Sequence, residues 1–184
     1  LSVVGELGYE INVPASMHLA LYRALKQAGA DFGMHEYGYN AVLSLRIEKS
    51  FGIWSREFTQ AYTPGMTGMD RWIDFNKKDF TGREAALRER EQDAAKNRLV
   101  TLDVDTLDAD ASGYEPIWHD GKRVGYVTSG AYGHTLGKSI AMALVDKEFS
   151  APRTKLSLHV VGVERPATVI APSPHDPEGR RMRG

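Results

Sequence analysis

Gly5-Glu6-Leu7-Gly8-Tyr9-Glu10-Ile11-Asn12-Val13-Pro14 sets one carboxylate inside an apolar, alternating run. Two glycines frame a tight turn, after which Tyr9, Ile11 and Val13 alternate as one face of a strand should. Glu10 and Asn12 then point to the second face. An ionised Glu is costly to bury unless hydrogen-bond donors meet its oxygens. A ligand edge with adjacent N–H groups would meet both; a half-exposed strand whose Glu faces water satisfies the same pattern. The rest of the chain bears on the choice.

Three later stretches follow in order: Gly38-Tyr39-Asn40-Ala41-Val42-Leu43-Ser44-Leu45-Arg46-Ile47-Glu48-Lys49; Asp79-Phe80-Thr81-Gly82-Arg83-Glu84-Ala85-Ala86-Leu87; and Val124-Gly125-Tyr126-Val127-Thr128-Ser129-Gly130, running on to Leu136-Gly137-Lys138-Ser139-Ile140-Ala141. Together, over nearly the whole chain, the four stretches resemble the glycine-cleavage T-protein (aminomethyltransferase) superfamily. Within it, Ile47-Glu48-Lys49-Ser50-Phe51-Gly52-Ile53-Trp54, Ile117-Trp118-His119-Asp120-Gly121 and Ser173-Pro174-His175-Asp176-Pro177 resemble the C-terminal folate-binding region of dimethylglycine and sarcosine dehydrogenases.

The resemblance implies an α+β fold: part of a folate-binding T-protein-like domain over residues 1–97, then a small antiparallel β-barrel over residues 98–184. It implies tetrahydrofolate as the bound cofactor and an amine-derived one-carbon unit as its partner, captured as 5,10-methylenetetrahydrofolate. Glu10 is then the ligand of the pterin edge, since a carboxylate accepts two N–H bonds in parallel. Trp54 offers a wall for a flat ring, and Tyr132 and His134 lie where the family's barrel approaches the folate channel. The family's catalytic aspartate belongs to an N-terminal half absent from this chain, so the catalytic residue is unknown, and FAD belongs to a domain further upstream. Leu1 is not a start methionine, and the chain reads as a fragment, inactive alone.

Three positions depart from the family pattern. Val3 stands where a Tyr is common, Val42 where the T-proteins proper carry an Arg near the folate, and Met66 where Thr-Pro-x-Glu has its acid. Val cannot mimic the five-donor fork of a guanidinium. These departures keep two alternatives open: a folate-dependent demethylase acting on a sulfur or oxygen methyl donor, and a non-catalytic regulatory module on the same scaffold.

Composition narrows the class. Of 184 residues, 42% are hydrophobic and 26% charged with net charge −1, which suits a soluble chain with a core. Near-neutrality argues against nucleic acid or an anionic membrane as partner. With no cysteine, disulfides and thiolate chemistry are excluded. No apolar run nears the roughly 18 residues of a membrane span, and no signal peptide opens the sequence. The expected location is cytoplasmic, or the mitochondrial matrix in a eukaryote, with a homo-oligomer possible through unpartnered apolar surface. The six histidines form no short-spaced pair, so no metal is expected. Asp103, Asp105, Asp108 and Asp110 lack the Gly and Glu of a calcium loop. Ser129 has no Gly-x-Ser-x-Gly elbow.

Periodicity predicts a first half that alternates strand and helix. Helices are expected over residues 17–28, with Ser16 as N-cap, a Met17, Leu21, Leu25 and Ala28 stripe and Gly29 as stop, and over 37–49, with Tyr39, Leu43 and Ile47 on one face. Residues 63–68 read as a bend and 72–75 as a short strand. Thr81 and Glu84 read as a capping box opening a helix to residue 96, whose charged face is solvated. Arg46 and Glu48 read as helix residues that pair with neighbouring loops. From residue 98, short alternating strands and the Asp120-Gly121 hairpin signal predict the barrel. Arg180, Arg181 and Arg183 read as a solvated basic end.

Overall fold

The computed structural model describes residues 2–184. Its strands are β1 (Asn97–Val104), β2 (Pro116–His119), β3 (Lys122–Gly133), β4 (Lys138–Asp146), β5 (Lys155–Val160) and β6 (Val163–Ile170). They close into an antiparallel barrel in the order β1-β4-β3-β2-β5-β6, with β6 back against β1. Alternation decides which side chains go where. Leu102 faces Ala141 on β4 and Val169 on β6, and with Val100, Val104, Val127, Ala143, Val145 and Leu158 it fills the interior. The opposite parity of β4 puts Ile140 and Met142 on the outer wall. Asp120 and Gly121, with φ of 48° and 76°, make the tight turn between β2 and β3 that the Asp-Gly pair predicts.

The first half is helical. Helix α1 spans His18–Gly29, α2 Tyr39–Glu48, α3 Pro64–Thr67 and α4 Arg83–Glu91. No strand forms among the described residues before Asn97, which corrects the expected alternation. Residues 9–13 run as exposed coil, and residues 72–75 pass from a 3₁₀ turn (Met69–Trp72) into coil. Period-two patterning makes a strand only where a neighbour takes its N–H and C=O groups, and this half supplies none.

Several helix ends also differ. A 3₁₀ turn over Ala15–Met17 absorbs Ser16, and α1 runs through Gly29 instead of stopping before it. The bend at 63–68 holds one helical turn, α3, whose start is capped by the Thr63 hydroxyl accepting the Met66 amide. Gly82, at φ 87°, takes the N-cap position of α4, so Thr81 and Glu84 form no capping box, and the helix ends at Glu91 as the chain turns toward β1. Its face is not simply solvated: Glu89 accepts the Gly65 amide at 3.1 Å, and Arg83 donates to the Phe75 carbonyl at 3.1 Å. No residue of α1 is buried, and its predicted stripe finds no partner surface.

The end of α2 is one junction between the halves. Ile47 of α2 is fully buried against Ile140 and Met142 on the barrel's outer wall, a contact that contributes about 1.5–3 kcal/mol. Immediately after it, the buried Lys49 ammonium donates to the carbonyls of His175 and Asp176, while the His175 amide bonds the Glu48 carbonyl at 3.0 Å. Ser173 donates its amide to the Ser50 hydroxyl at 2.8 Å and its hydroxyl to the Lys49 carbonyl at 2.7 Å. The C-terminal residues are thus a strap across the end of α2. Further on, Arg181 pairs with Glu6 at 3.2 Å and accepts the Leu7 amide at 2.9 Å, so the basic end is docked, not merely solvated.

Asp176 makes this strap sensitive to acid. Desolvation opposes ionisation, but the Arg180 and Arg181 amides and the Lys49 ammonium hold its carboxyl below the usual carboxylate range. A depressed folded pKa contributes stability that is present above the unfolded value of about 3.9 and lost as pH falls through the folded one. Acidification through that window should release the His175 amide to exchange before the barrel strands open, as amide hydrogen exchange followed along a pH series will report.

Candidate functional site

Helix α2 carries polar groups on the face it buries. Its buried residues are Ser44, Arg46, Ile47 and Glu48, so the Tyr39, Leu43 and Ile47 stripe is sealed only at its last member. Arg46 is 2% exposed and Glu57, in the loop after α2, is fully buried; their Nη1 and Oε2 atoms lie 3.6 Å apart. Burial pushes the Arg46 guanidinium down from its ordinary range, and the Glu57 carboxylate pushes it back up. The pair does not stand alone. Arg46 Nη1 donates to the Phe51 carbonyl at 3.0 Å, Glu57 Oε2 accepts the Ile53 amide at 2.9 Å, and Glu57 Oε1 accepts the Ser129 hydroxyl of β3 at 2.5 Å. Arg56 adds bonds to the Ser112 and Thr128 carbonyls. Residues 51–57 are therefore fixed against β3 by buried charge.

That loop presents Trp54. Its ring is 80% exposed and meets Phe58 edge-on at 5.9 Å between centroids. On the far side of α2, Tyr132 and His134 stand on the β3–β4 hairpin in a T-shaped pair with centroids 5.0 Å apart, Tyr132 being 40% exposed. The structure brings Tyr132 and His134 together, whereas Trp54 stacks with neither of them. Glu10 is exposed on the N-terminal coil. Val3 is exposed, and Val42 and Met66 are half-buried.

Beside Tyr132 opens a cleft of about 690 Å³, lined by Asp103, Asp105, Asp108, Asp110, Lys138 and neighbouring residues. Asp103 is paired with Lys138 at 2.6 Å, and Asp108 accepts bonds from Arg165 at 2.7 and 2.8 Å and from the Thr106 hydroxyl at 3.2 Å. Its lining mixes four aspartates with Lys138 and Lys155, and two of the aspartates are already paired.

Sequence reading found Arg46 and Glu48 as helix residues that serve loops, and both do so. It missed Ser44, Glu57 and Ser129. A signal existed for Ser44, which lies four residues before Glu48 on the same helix face. None existed for Glu57, because an Arg on a buried face demands a counter-charge without saying where in the chain it comes from.

Two family models match the chain in the order expected. The one described as the GCVT N-terminal domain covers residues 1–77, and the one described as the glycine cleavage T-protein C-terminal barrel domain covers residues 97–176. The chain belongs to the glycine cleavage T-protein family. It is 37% identical to the mitochondrial dimethylglycine dehydrogenase of Rattus norvegicus over 171 residues, 92% of this chain and 20% of that protein. It is 32% identical to an aminomethyltransferase of Caldanaerobacter subterraneus subsp. tengcongensis over 146 residues, 79% of this chain and 38% of that protein. The crystal structure of glycine cleavage system aminomethyltransferase T from Bartonella henselae superposes with a TM-score of 0.80 over 89% of this chain and 45% of that one; at 23% identity this is likeness of fold. The chain spans about a fifth of the length of the dimethylglycine dehydrogenase it matches. No helix among the described residues is long and apolar enough to cross a membrane.

Removing the Glu57 carboxylate should be severe. Glu57→Ala leaves the Arg46 guanidinium buried without its counter-charge, a loss of about 3–5 kcal/mol. Glu57→Gln keeps an acceptor for Ser129 and should lose less. Urea unfolding of the pair of variants measures both, and equal midpoints for wild type and Glu57→Ala would mean the ion pair holds nothing.

Proposed function

We propose that this T-protein family chain is the tetrahydrofolate-binding C-terminal region of an enzyme like the dimethylglycine and sarcosine dehydrogenases or the aminomethyltransferases. It would bind the folate that captures a one-carbon unit released from an amine. The reading is carried by the match to dimethylglycine dehydrogenase, which runs across 92% of the chain through both the helical half and the barrel. The reading draws on groups of the kind a flat heterocycle with an N–H edge would use. Trp54, Tyr132 and His134 offer exposed ring faces, and Glu10 an exposed carboxylate.

In this reading tetrahydrofolate, when bound, supplies the nucleophilic nitrogen that takes up the one-carbon unit. The chain's own residues bind and orient. Glu10 accepts the pterin N–H groups, and the aromatic side chains stack on the rings and exclude water, which supplies proximity and protects a reactive carbon from hydrolysis. The proton-handling group and an FAD-bearing oxidative centre are assigned to chain outside this sequence. The partners are the folate and the amine-derived unit. The exposed Leu19, Tyr22 and Leu25 of α1 supply an apolar surface for association, with a second copy or with further chain. The mitochondrial matrix is the compartment proposed for a eukaryotic source, by analogy with the mitochondrial dehydrogenase. Val3, Val42 and Met66 favour a second reading, a module that keeps the fold without folate chemistry.

Two measurements separate these readings. Glu10→Gln exchanges one acceptor oxygen for a donor that opposes the ring N–H groups, and should weaken tetrahydrofolate binding by roughly 1.5–3 kcal/mol in a titration of the full chain. Unchanged affinity would remove Glu10 from the site. With the full-length enzyme, which carries the oxidative domain, and dimethylglycine as substrate, trapped formaldehyde should fall when tetrahydrofolate is added; equal yields with and without it would favour the non-catalytic module.

A further inference from the structure

The β3–β4 hairpin that bears Tyr132 and His134 is held at three points by one face of α2. Ser44 Oγ donates to the Tyr132 carbonyl at 2.6 Å. Four residues later, one turn on, Glu48 Oε1 accepts the amides of Thr135 at 2.7 Å and Leu136 at 2.9 Å. His134 sits between these anchors. Glu48 is 1% exposed, so its carboxylate has little water to fall back on, and the loop amides are what satisfy it. Gly133 completes the fit, since a Cβ there would lie 2.9 Å from the same Glu48 oxygen. The hairpin and the helix are thus pressed together at a residue without a side chain.

We propose that Glu48, with Ser44, is a positioning residue that presents Tyr132 and His134 to the folate; this rests on the folate reading above. Glu48 touches neither ring. It fixes the backbone on both sides of His134, so the pair is pre-set before ligand arrives and binding need not order it.

The test uses the full chain, (6S)-tetrahydrofolate as probe and three readouts: dissociation constant, thermal midpoint, and hydrogen exchange at Thr135 and Leu136 without ligand. Glu48→Ala should free both amides and weaken folate about tenfold, the loss expected for charge-assisted bonds that fix the site. Glu48→Gln keeps a carbonyl oxygen where Oε1 stands and should restore most of both, whatever its midpoint. Combining Glu48→Ala with Tyr132→Ala and His134→Ala should cost no more affinity than the ring substitutions alone, because Glu48 acts through them. Should Glu48→Ala fail to fold, Ser44→Ala with the same ring substitutions gives the same comparison at about threefold effect. Additive losses, or freed amides with unchanged affinity, overturn the proposal and leave Glu48 structural. Wild type that binds no folate while Glu48→Ala still frees the amides overturns the folate reading and this role with it, leaving only the clamp.

Discussion

The junction of α2 and its following loop with the barrel is built around charge that has been taken out of water. Arg46, Glu48, Lys49 and Glu57 are all buried, and an isolated buried charge is among the costliest things a fold can contain. Each is met by partners from another part of the chain (the loop after α2, strand β3, the β3–β4 hairpin and the C-terminal strap), although the Arg46 Nε is left without one. The same geometry that neutralises the charges therefore fixes these four pieces relative to one another. Apolar contact at Ile47 supplies attraction, but it is not directional. Registration of loop, hairpin and strap comes from the polar bonds.

This division of labour explains what could be read from sequence and what could not. The barrel was legible because its strands carry their own instruction. Leu102 and Leu158 alternate with outward residues, Asp120-Gly121 announces its turn, and every strand finds a neighbour within the chain. Residues 9–13 carry an equally clean alternation and form no strand, because alternation describes which face is apolar and not whether a partner exists. Ser16 and Thr81 failed as caps for a local reason. A 3₁₀ turn and a left-handed glycine occupy the positions where their hydroxyls would have acted.

The candidate site was legible in part. Tyr132 and His134 come together because they flank one hairpin position, a local relation that sequence preserves. Glu10 was singled out by an alternation that forms no strand and Trp54 by its flat ring, and neither signal carried what surrounds them. The groups that orient the aromatic residues were the hardest to see. Glu57 meets Ser129 across a separation of 72 residues, and no pattern within either segment points to the other. Polar complementarity between distant segments has no period.

The distance along the chain between the buried charges and their partners has a consequence for synthesis. Glu48 waits for residues 87 positions later, and Lys49 for a residue 127 positions later. The barrel cannot close either until β6 has emerged to meet β1. A nascent chain therefore leaves the ribosome with α2 made and its charges still hydrated, and the last few dozen residues trigger docking of strap, hairpin and loop nearly at once. A product truncated before Ser173 would keep the barrel and the hairpin bonds to α2 but leave the Lys49 ammonium buried without the strap carbonyls that satisfy it.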